Sequence, residues 1–250
     1  MASEELSEAR QVAILQATCK GNLRALAQHV LGMTKWEEPL HGDLATFLKA
    51  PGKQKLVLMP RGHLKTSLVT VAWSIQQALI NPNIRILIAN SVWDNARMIL
   101  GQISDYLTHK SLLPTIFGEF QSPKTRWTRD EIEIAQRTTV TSREPTFDTA
   151  GIETAKTGRH YDLIIHDDLV ERNNVGTAEQ KQKVITFYRD SLDLLDPGGR
   201  LVVIGTRWAL GDLYGFLMDT EMKSLNGYTF KDAADRSDWR KYAPQVEEAA

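Results

Sequence analysis

Cysteine is almost missing from this chain: Cys19 stands alone among 250 residues. A single thiol excludes an internal disulfide framework and any zinc site built from several cysteines, and it fits a reducing intracellular compartment. It falls in a helical pattern, where a thiol packs as a small apolar side chain. Long apolar runs are missing as well. No stretch approaches the roughly 20 apolar residues that span a bilayer. The acidic start Met1-Ala-Ser-Glu-Glu-Leu-Ser-Glu reads as neither a secretory signal nor a transit peptide. Nor does one sign of charge dominate: 30 Lys plus Arg against 31 Asp plus Glu leave a formal net charge of −1. A bulk polycation is excluded, so nucleic-acid contact would have to come from a local patch. One such patch exists, since residues 51–100 hold Lys53, Lys55, Arg61, Lys65, Arg85 and Arg97 against Asp94 alone. The 6 His residues are scattered without metal-ligand spacing.

What remains is ordinary globular composition, 42% hydrophobic and 24% charged, in a length that suits one large domain with a small appendage. Residues 6–32 place apolar side chains at helical spacing, and Gly21-Asn22 breaks the run into two helices. A further short helical pattern precedes Pro51-Gly52. Then a rhythm sets in of short, nearly continuous branched runs, each the signature of a parallel strand covered on both faces: 56–59, 85–89, 162–165 and 201–204. Helical patterns at 65–80, 92–108, 177–195 and 210–219 alternate with them, which predicts an α/β fold with a parallel sheet and crossover helices. Residues 126–134 and 137–141 alternate differently, like an antiparallel strand pair added to that sheet. The expected division is a helical segment at 1–50, a core at 51–220 and a polar linker or tail at 221–250.

The segment Leu56-Val-Leu-Met-Pro-Arg-Gly-His-Leu-Lys-Thr-Ser67 carries the most chemistry. An apolar strand runs into a tight turn, and Lys-Thr opens an amphipathic helix. That is the physical plan of a phosphate-binding loop: backbone N–H groups and the helix start face an anion, Lys65 reaches the terminal phosphates and the Thr66 hydroxyl meets Mg²⁺. Both glycines of G-x-x-x-x-G-K-[ST] are replaced, by Met59 and Leu64, and Gly62 is left to supply backbone freedom. The candidate cradle is Pro60, Arg61, Gly62, His63, Leu64, Lys65, Thr66 and Ser67. Alone, the segment reads equally well as a surface turn. About 100 residues on, Tyr161-Asp-Leu-Ile-Ile-His-Asp-Asp168 supplies the missing partner, an apolar run ending in two carboxylates. Asp167 suits a divalent cation, and Asp168 suits the orientation or deprotonation of an attacking water. A third strand ends in Gly205-Thr-Arg-Trp208, followed by Gly-Asp-Leu-Tyr-Gly215.

Pro-Arg-Gly-His-Leu-Lys-Thr resembles the deviant Walker A loop of large terminase subunits, the ATPases that package viral DNA, in which an Arg commonly stands four residues before the Lys. Gly-Thr-Arg-Trp…Asp-Leu-Tyr-Gly resembles their coupling motif and that of related helicases. The resemblance covers roughly residues 36–220. It implies a P-loop NTPase of the class with an additional strand between the phosphate-loop strand and the acidic strand (ASCE), using ATP and Mg²⁺. It implies catalytic roles for Arg61, Lys65, Asp168 and Thr206, with Thr66 and Asp167 on the metal. Arg159, in the loop 151–160, is the candidate for an arginine finger given to a neighbouring subunit, and Arg61 competes for that task from its own subunit. Trp36 and His41 occupy the region that holds adenine in the family. The implied partners are double-stranded DNA, a portal protein, a small terminase subunit and further copies in a ring, commonly five, with no membrane. The implied place is the host cytoplasm, transiently on the procapsid. The family's nuclease domain has no room in 250 residues, so no nuclease activity is expected, the chain being either a truncation or an ATPase-only relative. A helicase-like motor domain and a non-hydrolysing nucleotide-binding module are the rival readings.

Overall fold

A computed structural model describes residues 2–139, 143–154, 156 and 158–221. The tail expected at 222–250 and the strand positions expected at 140 and 141 lie outside them. Three helices lead the chain. α1 (Ala2–Gly21) stops where Asn22 turns extended and accepts the Ala25 N–H on its side chain, capping α2 (Leu23–Ala25), which runs on in wider π-type turns over Leu26–Val30. α3 is Leu40–Lys49.

The sheet has six strands: β1 (Gln54–Leu58), β2 (Ile86–Asn90), β3 (Glu131–Ile132), β4 (Phe147–Gly151), β5 (Tyr161–Asp167) and β6 (Leu195–Gly205), in the order β1-β6-β5-β2-β4-β3. All neighbours are parallel except β3 and β4. β6 therefore lies between the phosphate-loop strand and the acidic strand. The antiparallel pair is present in another form than expected. Its second member is β4, whose Phe-Asp-Thr-Ala-Gly has too few branched residues to stand out in the sequence, and 137–139 form no strand. A helical run from Thr66 to Ile80 follows β1, first as π-type turns over Thr66–Trp73 and then as α4 (Ser74–Ile80). α5 (Trp93–Thr108), α6 (Leu113–Phe117), α7 (Ala178–Leu192) and α8 (Leu213–Phe216) complete the layers. None of the described helices is long and apolar enough to cross a membrane.

Period-two alternation sends the strand residues to two cores. Ile86, Ile88, Leu163, Ile165, Val202 and Ile204 pack against the helices before and after β1 and against α5. Leu87, Ile164, Leu201 and Val203 pack against α7 and α8. Both faces of the central strands are covered, which is why their sequences are continuously apolar. On β5 the same alternation settles the site. Asp167 shares the face of Leu163 and Ile165, toward the helix that opens with Thr66. His166 shares the face of Ile164 and is sealed against Phe187 and Tyr188.

Candidate active site

The turn after β1 runs from Met59 to Lys65. Gly62 has φ +84°, the left-handed freedom that glycine grants at little cost. Leu64 has φ 57°. A leucine there is strained, and it stands where the common loop places its second glycine. The turn is anchored from β6: the Met59 N–H donates to Gly205 O at 3.1 Å, and the Thr206 hydroxyl donates to Met59 O at 3.0 Å. On the other flank, His41 is 2% exposed and engaged at both ring nitrogens. Nδ1 accepts from the Glu37 N–H at 2.8 Å, so the proton on Nε2 faces His63 O at 3.2 Å. His41 thus braces the loop. Trp36 lies edge-on to it, with its indole N–H given to Glu38.

Lys65, Thr66, Asp167 and Asp168 converge. Lys65 Nζ lies 3.0 Å from Asp168 Oδ2. Thr66 Oγ1 donates to Asp167 Oδ1 at 3.1 Å, and Thr70 Oγ1 donates to Oδ2 at 2.6 Å. Asn90 Nδ2 donates to the Asp167 carbonyl at 2.7 Å, and the Asp168 N–H donates to Ile204 O at 3.0 Å. Asp168 itself has φ 48°, the second left-handed non-glycine residue at the site, and its Oδ1 is buried with no hydrogen-bond partner among the described residues. Burial pushes the Asp167 carboxyl up to about 6, with the Asp168 charge adding to the rise and the Thr70 hydroxyl opposing it. Thr66 and Asp167 offer hard oxygen donors on one side and Asp168 an unmatched acceptor on the other. This donor set fits Mg²⁺, which takes few protein ligands and keeps several waters. Among the described residues no group of three His, Cys, Asp or Glu forms a fuller cage.

The third motif reaches the site through Arg61. Its guanidinium lies over the Trp208 ring, 4.5 Å from the centroid, on the exposed side of the loop, and it makes no ion pair among the described residues. Trp208 is fixed in turn by Asp212, which accepts the N–H groups of Trp208 and Ala209 on one oxygen and that of Gly215, in α8, on the other. Gly205 is obligatory for packing, because a Cβ there would fall 1.9 Å from the Tyr214 hydroxyl.

Arg159 is not brought to this site. It precedes β5, at the opposite end of the sheet from Asp167, about 25 Å away along the strand at ~3.3 Å per residue. Its guanidinium is bonded to Glu131 at 2.6 Å and to Asp148, and Lys156 Nζ lies 3.0 Å from the same Asp148. Pro60 lies in the turn and Ser67 in the first helical turn after it, and the Ser67 side chain makes no hydrogen bond among the described residues. Sequence reasoning missed Thr70 and Asn90. Thr70 had a signal, since it follows Thr66 by four residues and so shares its helix face. Asn90 had one in the register that sets it beside Asp167, which the sequence alone does not display.

Strand–turn–Lys-Thr–helix, two carboxylates at the end of the next strand but one in the sheet, and a parallel strand between them define a P-loop NTPase fold of the additional-strand class. The chain matches no family model and no curated protein by sequence. Solved structures with a similar path include a mutant of the Thermus phage P74-26 large terminase ATPase domain, at 15% identity and TM-score 0.47, covering 87% of this chain and 92% of that one. The Phi-28 gp11 DNA packaging motor shares 13% identity at TM-score 0.46 over 80% of this chain and 65% of that one. S. cerevisiae Dbp5, bound to Nup159, Gle1, IP6 and ADP, shares 12% identity at TM-score 0.43 over 90% of this chain and 50% of that one. The fold class rests on the strand order and the site.

Proposed function

We propose that this chain is the ATP-hydrolysing motor domain of a viral DNA-packaging machine of the terminase kind, acting on double-stranded DNA. The observation that supports this reading is the meeting of Lys65 and Thr66 with Asp168 and Asp167 across β6. Residues 51–220 form the motor core, and 1–50 brace it through His41. A ring of such subunits on a portal, served by a small terminase subunit in the host cytoplasm, belongs to the same proposal.

Lys65 and the loop N–H groups would bind the β- and γ-phosphates, and Thr66 and Asp167 would hold Mg²⁺. When bound, the ion neutralises charge on the phosphate oxygens. Asp168 accepts a hydrogen bond from the attacking water and aligns it. Arg61, held beside the loop by Trp208 and without a carboxylate partner among the described residues, is placed to meet charge growing on the γ-phosphoryl. Thr206 ties the loop to the end of β6, so a change at the phosphates is passed to α8.

The test is ATP hydrolysis by the wild type and by Lys65→Ala, with and without double-stranded DNA. Hydrolysis that is lost in Lys65→Ala and stimulated by duplex supports the proposal. A folded Lys65→Ala protein of normal rate would falsify it, and unwinding of a forked duplex would move the reading to a helicase-like motor.

A further inference from the structure

A cavity of about 370 Å³ opens between the joint of α1 and α2, one side of α3 and the far half of the helix after β1, and none of residues 59–67 lines it. Arg200, on β6, forms part of its wall. The guanidinium lies over Trp73, 5.4 Å from the ring centroid, and Nη2 donates to Gln77 Oε1 at 2.6 Å. No carboxylate pairs with it among the described residues. Burial pushes this guanidinium below its ordinary value, and burial together with the charge of Arg200 pushes the Lys55 ammonium down to about 8. Three further cations line the cavity, Lys20, Arg24 and Lys49: Lys20 Nζ lies 6.0 Å from the Phe117 ring centroid, and Lys49 Nζ donates to the Gly21 carbonyl at 3.4 Å. The one carboxylate in the lining, Glu38, is already held by Arg24 at 3.1 Å and by the Trp36 indole N–H at 2.8 Å.

We propose that this cavity is a second anion site that binds a phosphate monoester, with Arg200 as its anchor. The charge count selects the class. Arg200, Lys20 and Lys49, none of them paired with a carboxylate among the described residues, match a group carrying about −1.5 to −2 better than a single carboxylate. The guanidinium spends one N–H on Gln77 and keeps the rest of its fork, whose geometry suits phosphate oxygens. The volume selects the ester over the bare ion, since it is about ten times the ~30 Å³ share of one water. The Leu48 and Ile80 side chains in the lining offer apolar wall to the organic part.

The experiment is a titration with ribose 5-phosphate, and separately with inorganic phosphate, at ionic strength held constant with KCl. Tryptophan fluorescence and equilibrium dialysis are the readouts. Wild type and Lys65→Ala are expected to bind ribose 5-phosphate saturably and alike, and Arg200→Gln to bind it at least tenfold more weakly. Lys49→Gln, at the rim, is expected to weaken it about threefold and decides the matter if Arg200→Gln does not fold. Equal affinity in the folded Arg200→Gln protein, or in Lys49→Gln where that variant decides, overturns the proposal. So do loss of binding in Lys65→Ala, no saturation beyond the effect of KCl, or inorganic phosphate binding as tightly as the ester.

Discussion

Lys65 Nζ stands 3.0 Å from Asp168 Oδ2, so the cation that would grip phosphate is held by the carboxylate that would align water. The two groups neutralise each other across β6 and must part before either can act. Asp168→Asn is expected to lower kcat by about 10²–10⁴, the range of a lost general-base contact. ATP affinity should be kept or improved, because Lys65 is released. Rapid-mixing hydrolysis together with binding of a fluorescent ATP analogue checks both. A parallel loss of affinity would mean that Asp168 supports the loop instead.

Arg159 is predicted to act on stability. Asp148, its partner, has a fully buried side chain that also accepts from the Tyr161 hydroxyl and faces Lys156. Arg159→Ala should cost about 2–3 kcal/mol, less than the roughly 3–5 of a buried charge left bare, since Lys156 and Tyr161 remain. Urea unfolding measures this. Hydrolysis per folded molecule should be unchanged. Unchanged stability with lost hydrolysis would instead support Arg159 as a finger acting on a neighbour.

Gly205→Ala should destabilise the chain by about 1–3 kcal/mol, because the new Cβ collides with the Tyr214 ring and hydroxyl. Gly62→Ala meets no atom within 4 Å and suffers only its positive φ, so its cost should be about 1 kcal/mol. Thermal midpoints of the two variants, compared side by side, should fall in that order.

His166 is fully buried between Phe187 and Tyr188 with both ring nitrogens unpartnered, and burial pushes its imidazole down to about 3. The unfolded chain then binds a proton near pH 6.5 that the native state refuses. Native stability falls as pH drops from about 6.5 toward 3, by ~1.4 kcal/mol per pH unit from this group alone. Asp167, raised to about 6, works in the opposite sense between about 4 and 6. The comparison of wild type with His166→Leu isolates the histidine. The variant's advantage should widen steadily as pH falls, and two parallel pH profiles would refute the assignment.

The sheet and the phosphate loop were readable because their signals are local. Branched runs marked β1, β2, β5 and β6, and the turn between Leu58 and Thr66 carried its own chemistry. β4 was hidden because Asp148 and Thr149 are polar yet buried, satisfied by Arg159, Lys156 and the indole N–H of Trp93 across distances that sequence does not show. The placing of Arg159 failed to emerge for the same reason: a basic loop beside a catalytic strand says nothing of which end of the strand it meets. His41 looked like a base-contacting residue, and its work as a brace appears only when Glu37 and His63 are seen on its two nitrogens.

The last residues of β6 hold both halves of the site: Ile204 accepts from Asp168 and Gly205 from Met59. The interposed strand is thus a spacer of fixed gauge. Two inter-strand steps of ~4.8 Å put close to 10 Å between the turn and the acids. Neighbouring strands would leave half that. Lys65 and Thr66 both reach across that spacing, to Asp168 at 3.0 Å and to Asp167 at 3.1 Å, so the gauge of β6 sets where the cation and hydroxyl of the turn meet the two carboxylates.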